Sequence, residues 1–156
     1  MVIWLNGLAR REPKVAALVG FLATRLAVVE GGLMLLLGAV GRRRSAVRML
    51  TAVLGVYVAS EVLGTLWPRE RPFEKHADVA DLARHQGGRS FPSRHVASGL
   101  AMAAVGAQEH PRLGVLMAGV ASLLGLSRVA AGLHYPSDVL GGAAIGAVIG
   151  RYARSL

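Results

Sequence analysis

Ser127-Arg128-Val129-Ala130-Ala131-Gly132-Leu133-His134-Tyr135-Pro136-Ser137-Asp138 lies between two apolar runs, Leu113 to Leu126 and Val139 to Gly150. An arginine, a histidine and an aspartate between such runs read as a short loop at a membrane surface. Pro136 locks its own φ and disfavours helix at Tyr135, so a helix is predicted to begin near Pro136. Asp138 then falls in its first turn, where the macrodipole favours a carboxylate. His134 stands just outside, about one turn away. Asp138 can accept a hydrogen bond from one ring nitrogen of His134 and turn the other outward, the orienter-plus-base half of a nucleophilic site. A plain local hydrogen bond fits the same spacing. Arg128 supplies a planar fork suited to phosphate oxygens.

Composition fits the membrane reading. Of 156 residues 53% are apolar, yet the formal charge is +9, and mean hydropathy is +0.47. A soluble nucleic-acid binder is basic but rarely this apolar. With 5% aromatic residues, stacking platforms for bases are scarce. Apolar runs broken by basic clusters suit a multi-span membrane protein, and the length suits one domain over residues 1–156. With no cysteine there is no disulfide, thiolate nucleophile or thiolate metal site.

The expected fold is all-α: a bundle of about five transmembrane helices with a short N-terminal interfacial helix. Met1 to Leu8 is too short to span and carries Trp4, so it is read as interfacial. Val15 to Val40 is one crossing, interrupted by Arg25 and Glu30, which either pair inside the bundle or line a path to the site. Gly41 to Ser45 is a basic turn. Ala46 to Trp67 is a second span carrying Glu61, stopped by Pro68 and Pro72. Residues 69–92 form an extramembrane loop in which Val79, Leu82 and Ala83 are expected to make a short amphipathic turn over the site. Ser93 to Gln108, Leu113 to Leu126 and Pro136 to Tyr152 are three further spans, short for a core of ~30 Å. Two rows of small residues, Gly142/Gly146/Gly150 and Gly99/Ala103/Ala107, have the spacing that lets helices approach closely; Ala/Gly-rich composition alone would also produce them.

Five crossings bring Trp67 to Arg71, Ser93 to His95 and Ser127 to Asp138 to one membrane face. The first segment contributes Arg71 and Arg69. The second opens a helix at Pro92-Ser93-Arg94-His95, with Ser90 or Ser93 as cap and free amides forming an anion site. The third contributes Arg128, His134 and Asp138. Arginines, a helix N-terminus and two histidines describe a phosphoryl-transfer site. The carboxylates are scattered and no His/Cys cluster stands out, so neither metal nor cofactor is expected. A P-loop is missing as well. His76, His85 and His110 are taken as solvated loop residues.

Together these segments resemble the three-part signature of the type 2 phosphatidic acid phosphatase (PAP2) superfamily: Lys-x6-Arg-Pro, Pro-Ser-Gly-His and Ser-Arg-x5-His-x3-Asp. The third part is matched by Ser127, Arg128, His134 and Asp138. The second is matched by Pro92, Ser93 and His95, with Arg94 in place of Gly. The first is matched by Arg71 and Pro72, with Gly64 in place of Lys. Within the superfamily, Arg69-Glu70-Arg71-Pro72-Phe73 looks most like the bacitracin-resistance type of undecaprenyl pyrophosphate phosphatases. The resemblance implies a metal-independent lipid phosphatase recycling a polyprenyl carrier for peptidoglycan synthesis, or alternatively a broad phosphatidic acid or phosphatidylglycerol phosphate phosphatase. A non-enzymatic module binding anionic headgroups is the competitor from another class. The resemblance further implies that His134 attacks phosphorus to form a phosphohistidine, that Asp138 holds its tautomer, and that His95 protonates the leaving oxygen. Arg71, Arg128 and Ser93 would bind phosphate; Arg69 is a further candidate. Arg94 is expected to supply the charge missing at Gly64. Expected partners are a lipid phosphate and membrane lipids, with a homo-oligomer allowed for and nucleic acid excluded. Arg42, Arg43, Arg44, Arg48, Arg112, Arg151 and Arg154 mark the opposite face, which places the site on the extracytoplasmic side of the inner membrane, although Arg10, Arg11 and Lys14 run against that rule.

Overall fold

Seven helices and no strands make up the computed structural model, which describes residues 1–156: α1 (Val2–Arg10), α2 (Pro13–Ala39), α3 (Arg43–Leu66), α4 (Pro72–Lys75), α5 (Arg94–Glu109), α6 (Pro111–Ala130) and α7 (Pro136–Ala153). Prolines open α2, α4, α6 and α7 in the first turn, where the missing N–H has no intrahelical partner to lose. α2, α3 and α6 are long and apolar enough to cross a membrane by length and composition. α5, with 16 residues, and α7 do not reach that standard. α5 is the central helix, burying Val96, Ala97, Gly99, Ala101, Met102, Ala103, Val105 and Gly106 among its neighbours. A helix shielded by other helices can be small and only mildly apolar.

Both small-residue rows are packing seams. A Cβ added at Gly142, Gly146 or Gly150 of α7 would come within 2.5, 2.4 and 2.8 Å of atoms of α5, backbone oxygens of Ser93 and Ala97 in the first two cases. The second row splits its work. Ala107 packs on Gly114 of α6, where an added Cβ would lie 2.5 Å from the Ala107 Cβ, and Gly99 faces the Glu30 carboxylate of α2. Such close approach is what small residues permit in lipid-embedded bundles. Away from the site, Met49, Val56, Val105 and Met117 fill the bundle core.

Three expectations are corrected. The fourth span does not stop at Leu126. α6 runs on to Ala130, so Ser127 and Arg128 are helical, and the chain turns at Gly132, whose φ of +80° suits glycine. No helical turn forms at Val79 to Ala83. There the Asp81 carboxylate accepts from the amides of Ala83 and His85, a local arrangement that competes with helix. A short helix forms at Pro72–Lys75 instead. Arg25 and Glu30 do not pair: Arg25 is exposed and Glu30 is buried. The first turns of α2 stand beside the loop, since Gly20 packs on the Leu82 carbonyl, so Arg25 lies near the level of the site, where an exposed cation is cheap.

The N-terminal helix is bound to the protein as well as amphipathic. Asn6 of α1 donates to the Ala80 and Ala130 carbonyls, both at 2.9 Å, and accepts from the Ala80 amide at 2.9 Å. Arg10 reaches the Asp78 carbonyl at 3.0 Å. These bonds, with Leu82 N–H to the Ala131 carbonyl at 3.2 Å, order the long loop over one end of the bundle.

Candidate active site

The expected convergence is present, and backbone groups carry it. Arg71 donates through Nη1 to the Leu133 carbonyl at 2.9 Å and through Nη2 to the Arg89 carbonyl at 3.2 Å. The Ser93 amide, at the N-cap of α5, donates to the Asp138 carbonyl at 3.0 Å. These contacts join the α3–α5 loop, the start of α5 and the α6–α7 connection.

His134 is 3% exposed. Its Nδ1 lies 2.7 Å from the Ser90 carbonyl and 3.8 Å from Asp138 Oδ2. A carbonyl can only accept, so Nδ1 carries the proton and Nε2 is left with its lone pair. The expected Asp138–His134 hydrogen bond is therefore replaced by one to the Ser90 backbone. Asp138 acts behind the ring as a charge, at ion-pair distance. Burial pushes the His134 imidazole down to about 4; Asp138 opposes the fall, while Arg128 and Arg71 add to it.

Asp138 is fully buried and fully bonded. It accepts from Arg69 Nη1 at 2.8 Å, from Ser90 Oγ at 2.8 Å and from the Tyr135 amide at 2.7 Å. Arg69, expected at the phosphate, is instead committed to this carboxylate and to Ser137 Oγ at 2.7 Å, with its guanidinium 4.0 Å above the Tyr135 ring. Ser90 caps nothing: its hydroxyl serves Asp138 and its carbonyl serves His134.

Among the buried donors without a partner in the protein are Arg71 Nε, Arg128 Nε and Ser93 Oγ, one from each of the three expected segments. Arg128 is anchored by Nη1 to the Ala23 carbonyl of α2 at 2.9 Å, which fixes its fork. The first amides of α5 add donors of the same kind. His95, in that turn, lies close enough to Arg128, His134 and Arg94 to sense their charge. Buried cations and hydrogen-bond donors gathered beside an imidazole lone pair make a receptor for a tetrahedral anion.

Arg94 lies at the edge of this group, sharing a polar cavity with Arg71. Its side chain is 47% exposed, 3.9 Å from Glu61 and 5.3 Å above the Tyr57 ring. The place beside Gly64 is taken by Arg89, which sequence reasoning missed. A Cβ on Gly64 would lie 3.6 Å from Arg89 Cδ and 3.8 Å from its Nε. Arg89 bonds Thr65 Oγ1 at 2.6 Å and pairs with Glu61. A polar cavity of about 250 Å3 gathers Arg71, Arg89, Arg94 and His85. His85 is thus a half-buried wall of the site rather than a solvated residue, and burial together with Arg71 lowers its pKa. Nothing in the local sequence around His85 or Arg89 marks either one; only the loop path does. His76 likewise has a partner, the Tyr135 hydroxyl at 3.2 Å, and His110 caps α6 through the Arg112 amide.

Residues 45–156 match the PAP2 superfamily. The chain belongs to that superfamily. It is 29% identical over 151 residues to the undecaprenyl-diphosphatase BcrC of Bacillus subtilis (strain 168), a match covering 94% of this chain and 77% of the relative. It is 30% identical over 106 residues to the bacitracin transport permease protein BcrC of Bacillus licheniformis, covering 66% of this chain but only 52% of that relative, about half its length. The crystal structure of Aquifex aeolicus LpxE superposes with a TM-score of 0.79 at 26% identity, covering 99% of this chain and 93% of that one. With its membrane-length helices, the PAP2 chain is an integral membrane protein.

Proposed function

We propose that this PAP2 protein is a lipid phosphatase that releases inorganic phosphate from a polyprenyl pyrophosphate, undecaprenyl pyrophosphate to undecaprenyl phosphate. The observation that carries the reading is the set of unpartnered buried donors, Arg71 Nε, Arg128 Nε and Ser93 Oγ, beside a histidine whose Nδ1 proton is held by a backbone carbonyl. A headgroup-binding module has use for the arginines but none for a buried imidazole oriented this way.

In this reading His134 Nε2 attacks the terminal phosphorus. The bond from phosphorus to the bridging oxygen breaks, and His95, starting protonated, gives that oxygen its proton. A phosphohistidine remains. Water then attacks phosphorus, returns a proton to His95 and releases inorganic phosphate, leaving His134 free. Arg71, Arg128, Ser93 and the α5 amides hold the equatorial oxygens throughout. Asp138, itself set by Arg69 and Ser90, steadies the positive charge that His134 acquires. Arg94 and Arg89 border the polar cavity next to Arg71 and are positioned for the second phosphate, a feature that favours a pyrophosphate over a lipid monophosphate.

We read α2, α3, α5, α6 and α7 as five crossings of the inner membrane, with the site facing outward. Lys75 is exposed on α4, and the chain has no native cysteine. A single Lys75→Cys variant should react with an impermeant maleimide in intact cells; labelling only after membrane disruption would invert the orientation. The decisive assay is phosphate release by purified protein from a panel of lipid phosphates in EDTA. No three His, Asp or Glu side chains form a set able to hold a metal ion, so release is expected to persist. Preferred hydrolysis of phosphatidic acid or phosphatidylglycerol phosphate would move the substrate class, and bound phosphate without turnover would sink the enzyme reading.

A further inference from the structure

A groove of about 1050 Å3 opens on the outside of the bundle, at the end away from the site. α6 and α7 both pack on α5 but make little contact with each other, so a strip of α5 stays uncovered between them. That strip is shallow because its residues are small. Gly114 of α6 and Gly150 of α7 rest so close to Ala107 and Ala104 that an added Cβ would come within 2.5 and 2.8 Å of their Cβ atoms. Two tight seams flanking a floor of alanines leave a trough, walled by Ala118 on α6 and Ala147 on α7. The floor runs from Leu100 to Gln108, about 12 Å along α5. That is close to one leaflet's half of a ~30 Å hydrocarbon core.

The mouth of the groove is cationic. Arg151, near the end of α7, and Arg154, just after it, line the mouth three residues apart, and both are exposed. Neither pairs with a carboxylate. Glu109, the carboxylate of that end, is already taken by Arg42 and Ser45. Gln108 donates to the Arg154 carbonyl at 2.9 Å and so ties this mouth to the floor of the groove.

We propose that the groove binds one anionic glycerophospholipid, with an acyl chain along the α5 floor and the phosphate held by Arg151 and Arg154. Depth and charge both select this occupant. A helix of a second copy would need a seam through the whole ~30 Å core, and a symmetric pairing would set the same arginines against each other. An acyl chain needs an apolar floor of one-leaflet depth, and an anionic headgroup supplies the negative charge that the mouth lacks. The site is separate from the phosphatase site and does not depend on the proposed function.

The test is lipid binding by the purified full chain in detergent micelles. It is read as an apparent Kd by native mass spectrometry, with dioleoyl phosphatidylglycerol and dioleoyl phosphatidylcholine as probes. Phosphatidylglycerol should bind the monomer at least about tenfold more tightly, the scale of two interfacial cations. Arg151→Gln/Arg154→Gln should remove that preference. Arg43→Gln/Arg44→Gln, an equal loss of exposed charge at the same end but outside the groove, should leave it in place. Ala147→Leu fills the groove wall without changing charge and should weaken both lipids; if it does not fold, the two arginine pairs decide. All three variants keep Arg71, Arg128 and Ser93. Lipid held only at the phosphatase site would therefore bind each variant as it binds the wild type, and that result would overturn the proposal. Equal affinity of the wild type for the two lipids would do the same. So would equal weakening by both arginine pairs, full binding by folded Ala147→Leu, or a dimer whose formation excludes lipid. No arm reads phosphate release, so the phosphatase reading stands or falls separately.

Discussion

The two histidines of the site are set in opposite ways. His134 is clamped on its Nδ1 side: Ser90 holds its Nδ1, Asp138 lies 3.8 Å behind it, and 3% of it is exposed. His95 has no such clamp and opens onto a cavity. A nucleophile needs one atom held at one distance from phosphorus, so rigid tethering serves it. In the proposed mechanism His95 is an acid that gives a proton and takes one back, which calls for room to exchange it, and the cavity beside the ring offers that room. The difference in packing thus matches the difference in assigned chemistry.

Removing the clamped partner should have the largest effect. His134→Ala should lose at least about 10³-fold in phosphate release, on the order of 4 kcal/mol, with expression and purification profile unchanged. Wild-type activity in that variant would break the comparison outright. His95→Ala should lose about 10²–10⁴-fold on the lipid pyrophosphate and markedly less on p-nitrophenyl phosphate, whose leaving group departs without a proton. Equal losses on both substrates would mean that His95 is not the acid.

Asp138→Asn should lower kcat by about 10–10²-fold. It weakens the charge behind His134 and leaves Arg69 without its anion. Because Ser90, rather than Asp138, holds Nδ1, the ring should stay in place; a loss as deep as that of His134→Ala would show that the carboxylate sets the tautomer after all.

The smallest effect is the absence of one. Burial places the His134 pKa at about 4. This base is depressed in the folded state, so it takes up a proton only as pH falls through about 4, while the unfolded chain takes one up near the ordinary value of about 6.5. Between these values the unfolded state binds more protons, and stability falls as pH drops across that window. His134, the nucleophile of the proposed mechanism, therefore stays neutral, and kcat/KM should change by less than about threefold between pH 7 and pH 5.5. An acid limb near pH 6.5 in that profile would mean that His134 is less enclosed than its packing indicates.

Much of this was legible in the chain, because it depends on local spacing. Pro136 before a Gly-rich apolar run specifies where α7 begins, and Asp138 then falls in its first turn. The row Gly142, Gly146, Gly150 specifies a face on which another backbone can rest. The grouping of Arg71, Arg128, Ser93 and the two histidines follows from counting crossings. Other features were hidden for one reason. Ser127 and Arg128 are as compatible with helix as with loop, and only the turn at Gly132 ends α6. Arg69 could bind a phosphate or a carboxylate with the same fork. Arg89 carries no mark of its own, and its proximity to Gly64 depends on the path of the long loop.

By itself, then, the sequence determined an all-helical membrane protein of the PAP2 kind and most of the residue types at its site, since periodicity, proline placement and motif spacing are properties of neighbouring residues. Only the tertiary structure decided which partner each polar group takes. Ser90 rather than Asp138 holds His134, Arg69 belongs to Asp138, and Glu30 turns from Arg25 toward α5. The reason is physical. A buried donor or acceptor must be satisfied by whatever packing brings within about 3 Å, and packing joins residues that the chain keeps far apart.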